Sequence, residues 1–470
     1  MQVSHMSSPL SIIILAAGLG TRMKSRKAKV LHQAGGKALV EHVVDAALEL
    51  TAAENIYVVV GHQADRVQAL LAPRGISFVL QTEQKGTGHA VITCAESMQT
   101  REGRVMILYG DVPLLRAQTL VRLRDLHAET NAAATAITTY VDDPTGYGRI
   151  VRNASGEVMA VVEQKAASEE QLRIREINAG IYCFSAPLLW KHLPDIQPNN
   201  PAREYYLTDM VEILNGAGHR VLPMIVDDAS ELLGINNRLE LAQADRILRN
   251  RKVHELMVEG VTIEKPETVT IDLDVRIGTD TVIEPFARIT GATVIGSDCR
   301  VGSCSIIHSS TIEDNVEILP FSIVSTSHVE AGVHVGPYAR LRMENHVEAG
   351  AHVGNFVELK KTRLGKGAKA QHLAYLGDSS IGAGVNIGAG TITCNYDGRA
   401  KHRTKVGDGA FVGSNSTLVA PVEIGDGAYV GAGSVITDPV PADALALGRG
   451  RQVVKEGWAR KRREDADGSR

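Results

Sequence analysis

The sequence predicts a doubly wound α/β domain that a long helix joins to a parallel β-helix of hexapeptide repeats. The first half alternates strand-like apolar runs with helical stretches, which is typical of βαβ units in a parallel sheet. The second half keeps a six-residue aliphatic spacing that returns twice further along and starts with Ile277, Ile283, Ile289, Ile295, Val301 and Ile307. A helix of period 3.6 or a strand of period 2 does not give that spacing, whereas a coil of three short flat faces does.

Length and composition set the broad class of the protein. With 470 residues the chain is long enough for two or three domains. A net charge of -4 gives no reason to expect a nucleic-acid partner, so small-molecule substrates are favoured. The 5 cysteines have no metal-ligand spacing, and the apolar run over residues 12–17 is too short to span a membrane. A cytoplasmic protein without zinc or a disulfide frame is expected.

The pattern divides the chain into four parts. Residues 1–235 form the α/β domain, with Met1–Pro9 as a loose lead, and residues 236–260 form the linker helix. Residues 261–440 form the β-helix, which is interrupted at Asn395–Lys405, where the six-residue spacing slips. Residues 441–470 carry no repeat and are predicted to be a tail that ends in disorder.

A glycine-rich segment, Leu15–Met23, follows the first strand and opens a helix. Its small residues let backbone N–H groups approach a phosphate chain, and Arg22 adds a fixed positive charge. A tight turn without a ligand is the alternative. A dinucleotide-binding fingerprint would need its third glycine at Met23, and the GxxxxGK[ST] phosphate loop is absent from this segment.

Further residues of the first half complete a motif set. They are Lys29, Gln81, Gly86–His89, Tyr109–Asp111, Thr145–Arg149, Glu163, Asn178, Glu204–Tyr206 and Gly234–Asn237. With the Leu15–Met23 loop, this set resembles the sugar-nucleotide pyrophosphorylases, whose catalytic domain is Rossmann-like. The chain departs from the family pattern at Ala28, where proline is usual.

This resemblance implies a role for each residue. The nucleotide and the sugar phosphate would be bound by Leu15, Ala16, Ala17, Gly18, Lys29, Gln81, Gly86, Thr87, Gly110 and Asn236, with Tyr109, Gly148, Glu163 and Asn178 at the sugar. Asp111 and Asn236 would hold Mg²⁺. Arg22 and Lys29 would neutralise charge as the sugar phosphate attacks the α-phosphorus of UTP, and this step needs no general base.

Polar segments also interrupt the repeats of the second half, at Arg340–Arg342, Asn355–Lys361 and His372–Tyr375. A purely structural β-helix has no need of them. Acetyl transfer to an amine needs a base, and histidine suits that task near neutral pH, while arginine and lysine suit phosphate capture.

Together with the segment Asn386–Gly398, this constellation is similar to the bacterial bifunctional enzymes that make UDP-N-acetylglucosamine, over nearly the whole chain. That family implies a left-handed β-helix, His372 as the general base and a homotrimer with active sites between subunits. Arg342, Lys360, Tyr375 and Asn386 would bind the sugar phosphate, and Asn395 and Tyr396 would line its pocket or bind acetyl-CoA. Ala389, Ser414, Ala432 and Arg449 would line the acetyl-CoA channel. Met343–Asn345 departs from the Pro-Gly that the family usually carries.

The predicted function therefore has two steps: acetylation of glucosamine-1-phosphate with acetyl-CoA, then UMP transfer from UTP to N-acetylglucosamine-1-phosphate. One alternative is a nucleotidyltransferase whose β-helix only assembles or regulates it. The other is a non-catalytic subunit of a larger assembly.

Overall fold

The computed structural model describes residues 9–98, 102–200 and 203–467. Two compact units divide between Asn250 and Arg251, and they are called unit 1 and unit 2 below. Of the lead predicted over Met1–Pro9, Met1–Ser8 lie outside the described residues.

Unit 1 alternates strands and helices. Its elements are β1 Leu10–Ala16, β2 Gln33–Ala34, β3 Lys37–Ala38, α1 Leu39–Leu48, β4 Ile56–Val60, α2 Ala64–Leu71, β5 Ser77–Leu80, α3 Thr87–Ala95, β6 Arg104–Tyr109, α4 Ala117–Thr130, β7 Ala134–Tyr140, β8 Arg149–Arg152, β9 Val158–Val162, α5 Glu169–Leu172, β10 Glu176–Ser185, α6 Ala186–His192, α7 Asp209–Gly216 and β11 Val221–Ile225, followed by α8 Arg238–Val258, which runs on into unit 2.

The main sheet of unit 1 has the strand order β11-β7-β10-β6-β1-β4-β5. Its central strands are apolar throughout because both faces are covered. Along β1, Ile12 and Ile14 enter one hydrophobic cluster while Ile13 enters the other. Strands β1, β4, β5 and β6 are parallel, so the loops after β1 and β6 meet at one edge of the sheet. This is the edge at which ligands of doubly wound sheets bind.

One strand departs from the predicted parallel arrangement. Strand β10 lies antiparallel between β6 and β7. It follows the β8–β9 pair, which is itself antiparallel and joins the sheet through the antiparallel pairing of β8 with β10. The sheet is therefore mixed, as is common among large doubly wound sheets.

Unit 2 is built from short strands, most of two or three residues. They are β12 Thr262–Ile263, β13 Thr270–Ile271, β14 Arg276–Ile277, β15 Val282–Ile283, β16 Arg288–Thr290, β17 Val294–Ile295, β18 Arg300–Val301, β19 Ile306–His308, β20 Thr311–Ile312, β21 Glu317–Ile318, β22 Ile323–Ser325, β23 Ser327–Val329, β24 His334–Val335, β25 Arg340–Leu341, β26 Asn345–Val347, β27 His352–Asn355, β28 Glu358–Lys360, β29 Arg363–Leu364, β30 Lys369–His372, β31 Tyr375–Gly377, β32 Ser379–Ile381, β33 Asn386–Ile387, β34 Ile392–Cys394, β35 Thr404–Val406, β36 Phe411–Val412, β37 Thr417–Val419, β38 Val422–Ile424, β39 Tyr429–Val430, β40 Val435–Ile436 and β41 Leu445–Ala446.

These strands stack into three parallel sheets, which we call faces A, B and C. Face A runs from β12 through β15 to β41, face B from β13 to β40 and face C from β14 to β38. Most strands pair in parallel with the third strand along the chain, as β15 does with β18, so the chain winds as a parallel β-helix. The aliphatic residues of the six-residue spacing point inward: Ile283 and Ile289 have no exposed surface and Ile295 only 2 %. Repeating coils thereby bury one continuous core.

The corner between faces A and B carries a ladder of aromatic residues in the left-handed backbone conformation. Phe321, Tyr338 and Phe356 have φ of 62°, 56° and 57°. Their rings stack at 5.0 and 5.3 Å, and about half of each side chain is exposed. Non-glycine residues seldom adopt this backbone conformation, so the corner presents apolar rings at a conformational cost.

The C-terminal tail is predicted to end in disorder, but the structure has regular elements in it. It contains α9, Trp458–Asp467, and β41 adds a strand to face A beyond residue 440. Alanine, arginine, lysine and glutamate in α9 favour a helix, and the Arg462 guanidinium lies 5.6 Å from the centre of the Trp458 ring, one turn away. Across the described part of the chain, every helix is too short or too polar to cross a bilayer.

Candidate active sites

The loop after β1, where phosphate binding is predicted, is an open turn. Leu15 and Ala16 end the strand, Ala17 is buried and Gly18 is exposed. A Cβ on Gly18 would meet nothing within 4 Å, so this backbone is open to a ligand. Gly20 has φ 62°, and a Cβ there would lie 2.6 Å from that of Lys29. Only glycine allows the loop to lie this close to Lys29.

Two cations and two oxygen ligands meet at the carboxyl end of β6. Lys29 forms an ion pair with Asp111 and donates to Asn236 Oδ1 at 3.2 Å. Arg22 Nη2 donates to the same oxygen at 2.8 Å. The Ile235 N–H donates to the Asp111 carbonyl at 2.9 Å, which fixes the Asn236 segment beside the loop after β6. The structure therefore brings Arg22, Lys29, Asp111 and Asn236 together, although 214 positions separate Arg22 from Asn236.

Ala28, which replaces the usual proline, has a contact that proline cannot make. Its backbone N–H donates to Gln63 Oε1 at 3.1 Å. Its φ of -53° lies in the range of proline, so the chain here follows a path that suits both residues. The Gln63 contact therefore holds the segment before Lys29.

The predicted uridine contacts line the entrance to α3. Gln81 is buried, and its amide nitrogen lies 2.9 Å from His89 Nδ1 and 3.3 Å from the Gly86 carbonyl. Gly86 has φ 108° and ψ 176°, a conformation open to glycine alone. Thr87 Oγ1 accepts the Leu207 N–H at 3.0 Å. The polar edge of Gln81 and the Gly86 backbone thus lie side by side.

The predicted sugar contacts converge around Gly148. A Cβ on Gly148 would lie 3.5 Å from Glu163 Oε1 and 3.8 Å from the Asn178 Cβ. Asn178 Oδ1 accepts the Gly180 N–H at 3.1 Å, and Gly180 packs on the Tyr109 ring. Burial raises the pKa values of Tyr109 and Glu163. Gly110 follows Tyr109 directly, and its N–H donates to the Leu15 carbonyl at 3.0 Å.

Asp209 is a neighbour of this group that the sequence analysis did not identify. It lies in the first turn of α7, and its pKa is raised to about 6 by burial and by the Glu212 and Glu163 carboxylates. In a sequence, an aspartate that follows a threonine is typical of the start of a helix. No sequence signal therefore identifies Asp209 as a neighbour of these residues.

In unit 2, one group of predicted residues lies at the corner between faces B and C, which we call the phosphate corner. Lys360 ends β28, is 7 % exposed and lies 3.3 Å from Asp378 Oδ2. Asn395 is also buried and donates to Asp378. Arg342, in the coil before Lys360, pairs with Glu358 at 3.1 Å. Tyr375 points outward from face B, with its hydroxyl 3.5 Å from Asn395 Nδ2.

The predicted insertion folds over the phosphate corner as a small closed loop. Tyr396 pairs with Lys401 through a β-bridge and is exposed. The Ala400 N–H and the His402 ring hold the pKa of Asp397 well below its usual range. The loop returns Lys401 to Lys360, whose ammonium lowers the pKa of Lys401 by hydrogen bonding and by repulsion. Sequence reasoning missed Lys401 and Asp378, since lysine and aspartate are common in surface turns.

His372 lies at the other end of face B, at the corner between faces A and B, which we call the histidine corner. Its Nδ1 lies 2.9 Å from Asn355 Oδ1. An amide oxygen only accepts, so this contact favours the ring tautomer with its proton on Nδ1, in which Nε2 carries the lone pair. His372, Asn355, His334 and His352 border a cavity of 320 Å³.

The predicted acetyl-CoA residues continue this corner from coil to coil. The carbonyl of His372 accepts the Gly390 N–H, that of Ala389 accepts the Asn415 N–H and that of Ser414 accepts the Gly433 N–H. Arg449 Nη1 donates to the Ala432 carbonyl at 2.8 Å. Asn386 lies on the adjacent face A, paired in register with Lys369 of the His372 strand. The column therefore contains His372, Ala389, Ser414 and Ala432, with Arg449 at its end.

The residues predicted for the acetyltransferase site do not all lie at one corner. Arg342, Lys360 and Asn395 lie at the phosphate corner, while His372 lies at the opposite end of face B and Asn386 lies on face A. Within the described chain, His372 and the cations of the phosphate corner are thus separated by one face of the β-helix.

Comparison with known proteins assigns a class to each unit. Residues 12–179 match the MobA-like NTP transferase domain family, and residues 403–438 match the bacterial transferase hexapeptide repeat family. The protein is therefore a nucleotidyltransferase domain joined to a hexapeptide transferase domain, and the predicted fold class is confirmed.

Whole-chain relatives identify the family. The chain is 64 % identical to bifunctional protein GlmU of Solibacter usitatus over 98 % of both chains. It is 52 % identical to bifunctional protein GlmU of Koribacter versatilis over 97 % of both chains, and 49 % identical to that of Fervidobacterium nodosum over 97 % of this chain and 98 % of the relative. The chain belongs to the GlmU family. The predicted pair of activities, uridylyl transfer and acetyl transfer, is confirmed, and both non-bifunctional alternatives are wrong.

Proposed function

We propose that UMP transfer takes place where Arg22 and Lys29 converge on Asp111 and Asn236. Two polyanions react there, and their alignment requires cations that are already in position. Arg22 and Lys29 are held by the same amide oxygen, at 2.8 and 3.2 Å. This shared contact is the observation that carries the assignment. The open backbone at Ala17 and Gly18 receives the triphosphate, while Gln81, Gly86 and Thr87 bind the uracil.

The sugar phosphate occupies the pocket around Gly148. Glu163 and Asn178 bind the sugar hydroxyls, and Tyr109 forms the wall behind them. The phosphate of N-acetylglucosamine-1-phosphate attacks the α-phosphorus of UTP in line, a P–O bond forms and pyrophosphate leaves. The attacking phosphate oxygen is already ionised at neutral pH, so no residue has to remove a proton.

Mg²⁺ fits the oxygen pair of Asp111 and Asn236. Both side-chain oxygens contact the Lys29 ammonium, so both lie close enough to reach one cation. Carboxylate and amide oxygens are hard ligands, and magnesium in phosphate-binding sites takes one or two protein ligands with phosphate and water for the rest. Bound there, the ion would neutralise phosphate charge.

Acetyl transfer takes place in unit 2, with His372 as the general base. The amine of glucosamine-1-phosphate attacks the thioester carbon of acetyl-CoA, Nε2 takes a proton from the nitrogen and the thiolate of CoA leaves. Asn355 fixes the ring because it accepts the Nδ1 proton. Arg342, Lys360 and Tyr375 bind the sugar phosphate, with Asn395 and Tyr396 at the pocket edge. Acetyl-CoA follows the column of Ala389, Ser414, Ala432 and Arg449, near Asn386.

The acetyltransferase site is completed by a second copy of the chain in a homotrimer. The histidine corner of one chain and the phosphate corner of another supply the two halves that one chain keeps apart. The exposed rings of Phe321, Tyr338 and Phe356 continue the histidine corner and give the second copy an apolar surface to bury.

Small molecules are the proposed partners, in the cytoplasm, where UTP and acetyl-CoA are available. Mass spectrometry tests the sequence of steps on protein incubated with glucosamine-1-phosphate, acetyl-CoA, UTP and Mg²⁺. We expect UDP-N-acetylglucosamine only when acetyl-CoA is present. Its formation without acetyl-CoA would contradict the proposed order, and its absence from both tubes, while added N-acetylglucosamine-1-phosphate is converted, would contradict the role of His372.

A further inference from the structure

We infer that Asp378 is the positioning residue of the phosphate corner, holding both Lys360 and Asn395 for the sugar phosphate. This inference rests on the proposed acetyltransferase site. One oxygen of Asp378, Oδ2, accepts from Lys360 Nζ at 3.3 Å and from Asn395 Nδ2. Two predicted substrate contacts therefore depend on a single carboxylate that does not itself bind an anionic substrate.

Burial makes this carboxylate necessary. The side chains of Lys360 and Asp378 are 8 % and 13 % exposed. A buried ammonium without a counter-charge is strongly disfavoured and moves toward water. Asp378 therefore keeps the Lys360 ammonium at the corner instead of in solvent.

The backbone fixes Asp378 relative to the residues it holds. Its N–H donates to the Lys360 carbonyl at 2.8 Å, and its carbonyl accepts the Thr404 N–H at 3.3 Å. Its φ is 48°, the left-handed region. Asparagine and glycine adopt that conformation at least as readily as aspartate, so both substitutions leave the coil unstrained.

The test compares Asp378→Gly and Asp378→Asn with wild type in the full-length protein. Because a hydrogen bond to a charged group contributes roughly 10-fold or more to binding, we expect Asp378→Gly, which releases Lys360 and Asn395, to raise the KM for glucosamine-1-phosphate at least ~10-fold. The KM for acetyl-CoA and the rate of uridylyl transfer should stay within about 2-fold, as expected for a distant site. Asp378→Asn keeps an acceptor oxygen and should have a smaller effect.

A matched control and a double variant separate positioning from general stability. Asp426→Asn removes the same charge from another coil turn, where Oδ1 accepts the Asp408 N–H, and should change neither KM. If Asp378 acts through Lys360, adding Asp378→Gly to Lys360→Met should raise the KM for glucosamine-1-phosphate less than about 3-fold further.

Two results would overturn the inference. An unchanged KM for glucosamine-1-phosphate in Asp378→Gly, with Lys360→Met clearly impaired, would remove Asp378 from the pocket and leave the proposed pocket standing. An unchanged KM in Lys360→Met would show that the proposed pocket itself is wrong, and the inference with it.

Discussion

The two active sites differ in how the chain assembles them. In unit 1, single loops that are far apart in the sequence meet within one chain, as Arg22, Asp111 and Asn236 do. In unit 2, residues occupy equivalent turns of successive coils and form two separate columns, with His372 in one and Lys360 in the other. Because the coils repeat, residues at equivalent positions line up at the same corner. Residues at different corners stay one face of the β-helix apart. In the proposed acetyltransferase, unit 2 therefore takes residues from a second copy, whereas the proposed uridylyltransferase site of unit 1 is complete within one chain.

Replacement of the proposed base gives the largest expected effect. His372→Asn should lower the kcat of acetyl transfer by about 10²–10⁴, the range for loss of general base catalysis. Uridylyl transfer from N-acetylglucosamine-1-phosphate should be unaffected, because unit 1 has its own site. CoA release and UDP-N-acetylglucosamine formation measure the two rates. His334→Asn, at the same cavity, is the matched control. A His372→Asn enzyme with a near-normal acetyl transfer rate would contradict the assignment.

The stability of unit 1 should depend on pH through a buried histidine. Burial and the Arg104 charge lower the pKa of His127 to about 4, while the unfolded value is about 6.5. Between these values the unfolded state binds more protons, so stability falls as pH drops from about 6.5 to about 4, by about 3 kcal/mol in total. Urea unfolding followed by Trp190 fluorescence, in a Trp458→Phe background, measures this loss.

The control for this pH dependence keeps a polar group at the same position. His127→Gln can still bond to the Thr135 hydroxyl, which lies 3.0 Å from His127 Nδ1. It should flatten the pH profile of unit 1 unfolding. An equal slope in wild type and His127→Gln would assign the acid sensitivity to other groups.

Two glycines of the proposed uridylyltransferase site, Gly86 and Gly18, should differ in how much they contribute to the stability of unit 1. Gly86→Ala should lower the free energy of unfolding of unit 1 by about 1–3 kcal/mol, because φ 108° is strained for alanine and the new Cβ would lie 2.5 Å from the Tyr205 carbonyl oxygen. Gly18→Ala meets open space, so it should leave stability unchanged and impair only uridylyl transfer. Equal stability of both variants would contradict this difference.

The smallest expected effect is at a corner of unit 2, where a substitution should raise the stability of the β-helix instead of lowering it. Glu344 has φ 50°, a left-handed backbone conformation that glycine adopts without strain. Glu344→Gly should raise the stability of the β-helix by about 0.5 kcal/mol, because relief of left-handed strain exceeds the loss of the exposed ion pair with Lys361. Met343→Gly, beside it, should be destabilising. Calorimetric midpoints of unit 2 measure both, and a lower midpoint for Glu344→Gly would contradict the strain argument.

The difference between the loops of unit 1 and the repeating coils of unit 2 also decides how much of the structure the sequence could predict. The six-residue spacing predicts the inward-facing positions of the coils, since Ile283 and Ile289 recur at fixed intervals. It could not predict Asp378 or Asn355, because their roles depend on contacts between neighbouring coils. In unit 1, the resemblance supplied Asp111 and Asn236, whereas the Gln63 contact of Ala28 and the proximity of Asp209 to Glu163 depend on long-range packing.

Subunit mixing tests most directly whether the acetyltransferase site is shared between chains. His372→Asn and Lys360→Met, each expected to be impaired in acetyl transfer, are co-expressed with different affinity tags and the mixed oligomer is purified. In a cyclic trimer, about one site in three would then combine two intact corners and restore acetyl transfer. A parallel mixture of Arg22→Met with Asn236→Ala should restore no uridylyl transfer. A mixed oligomer no more active in acetyl transfer than its parents would contradict the shared site.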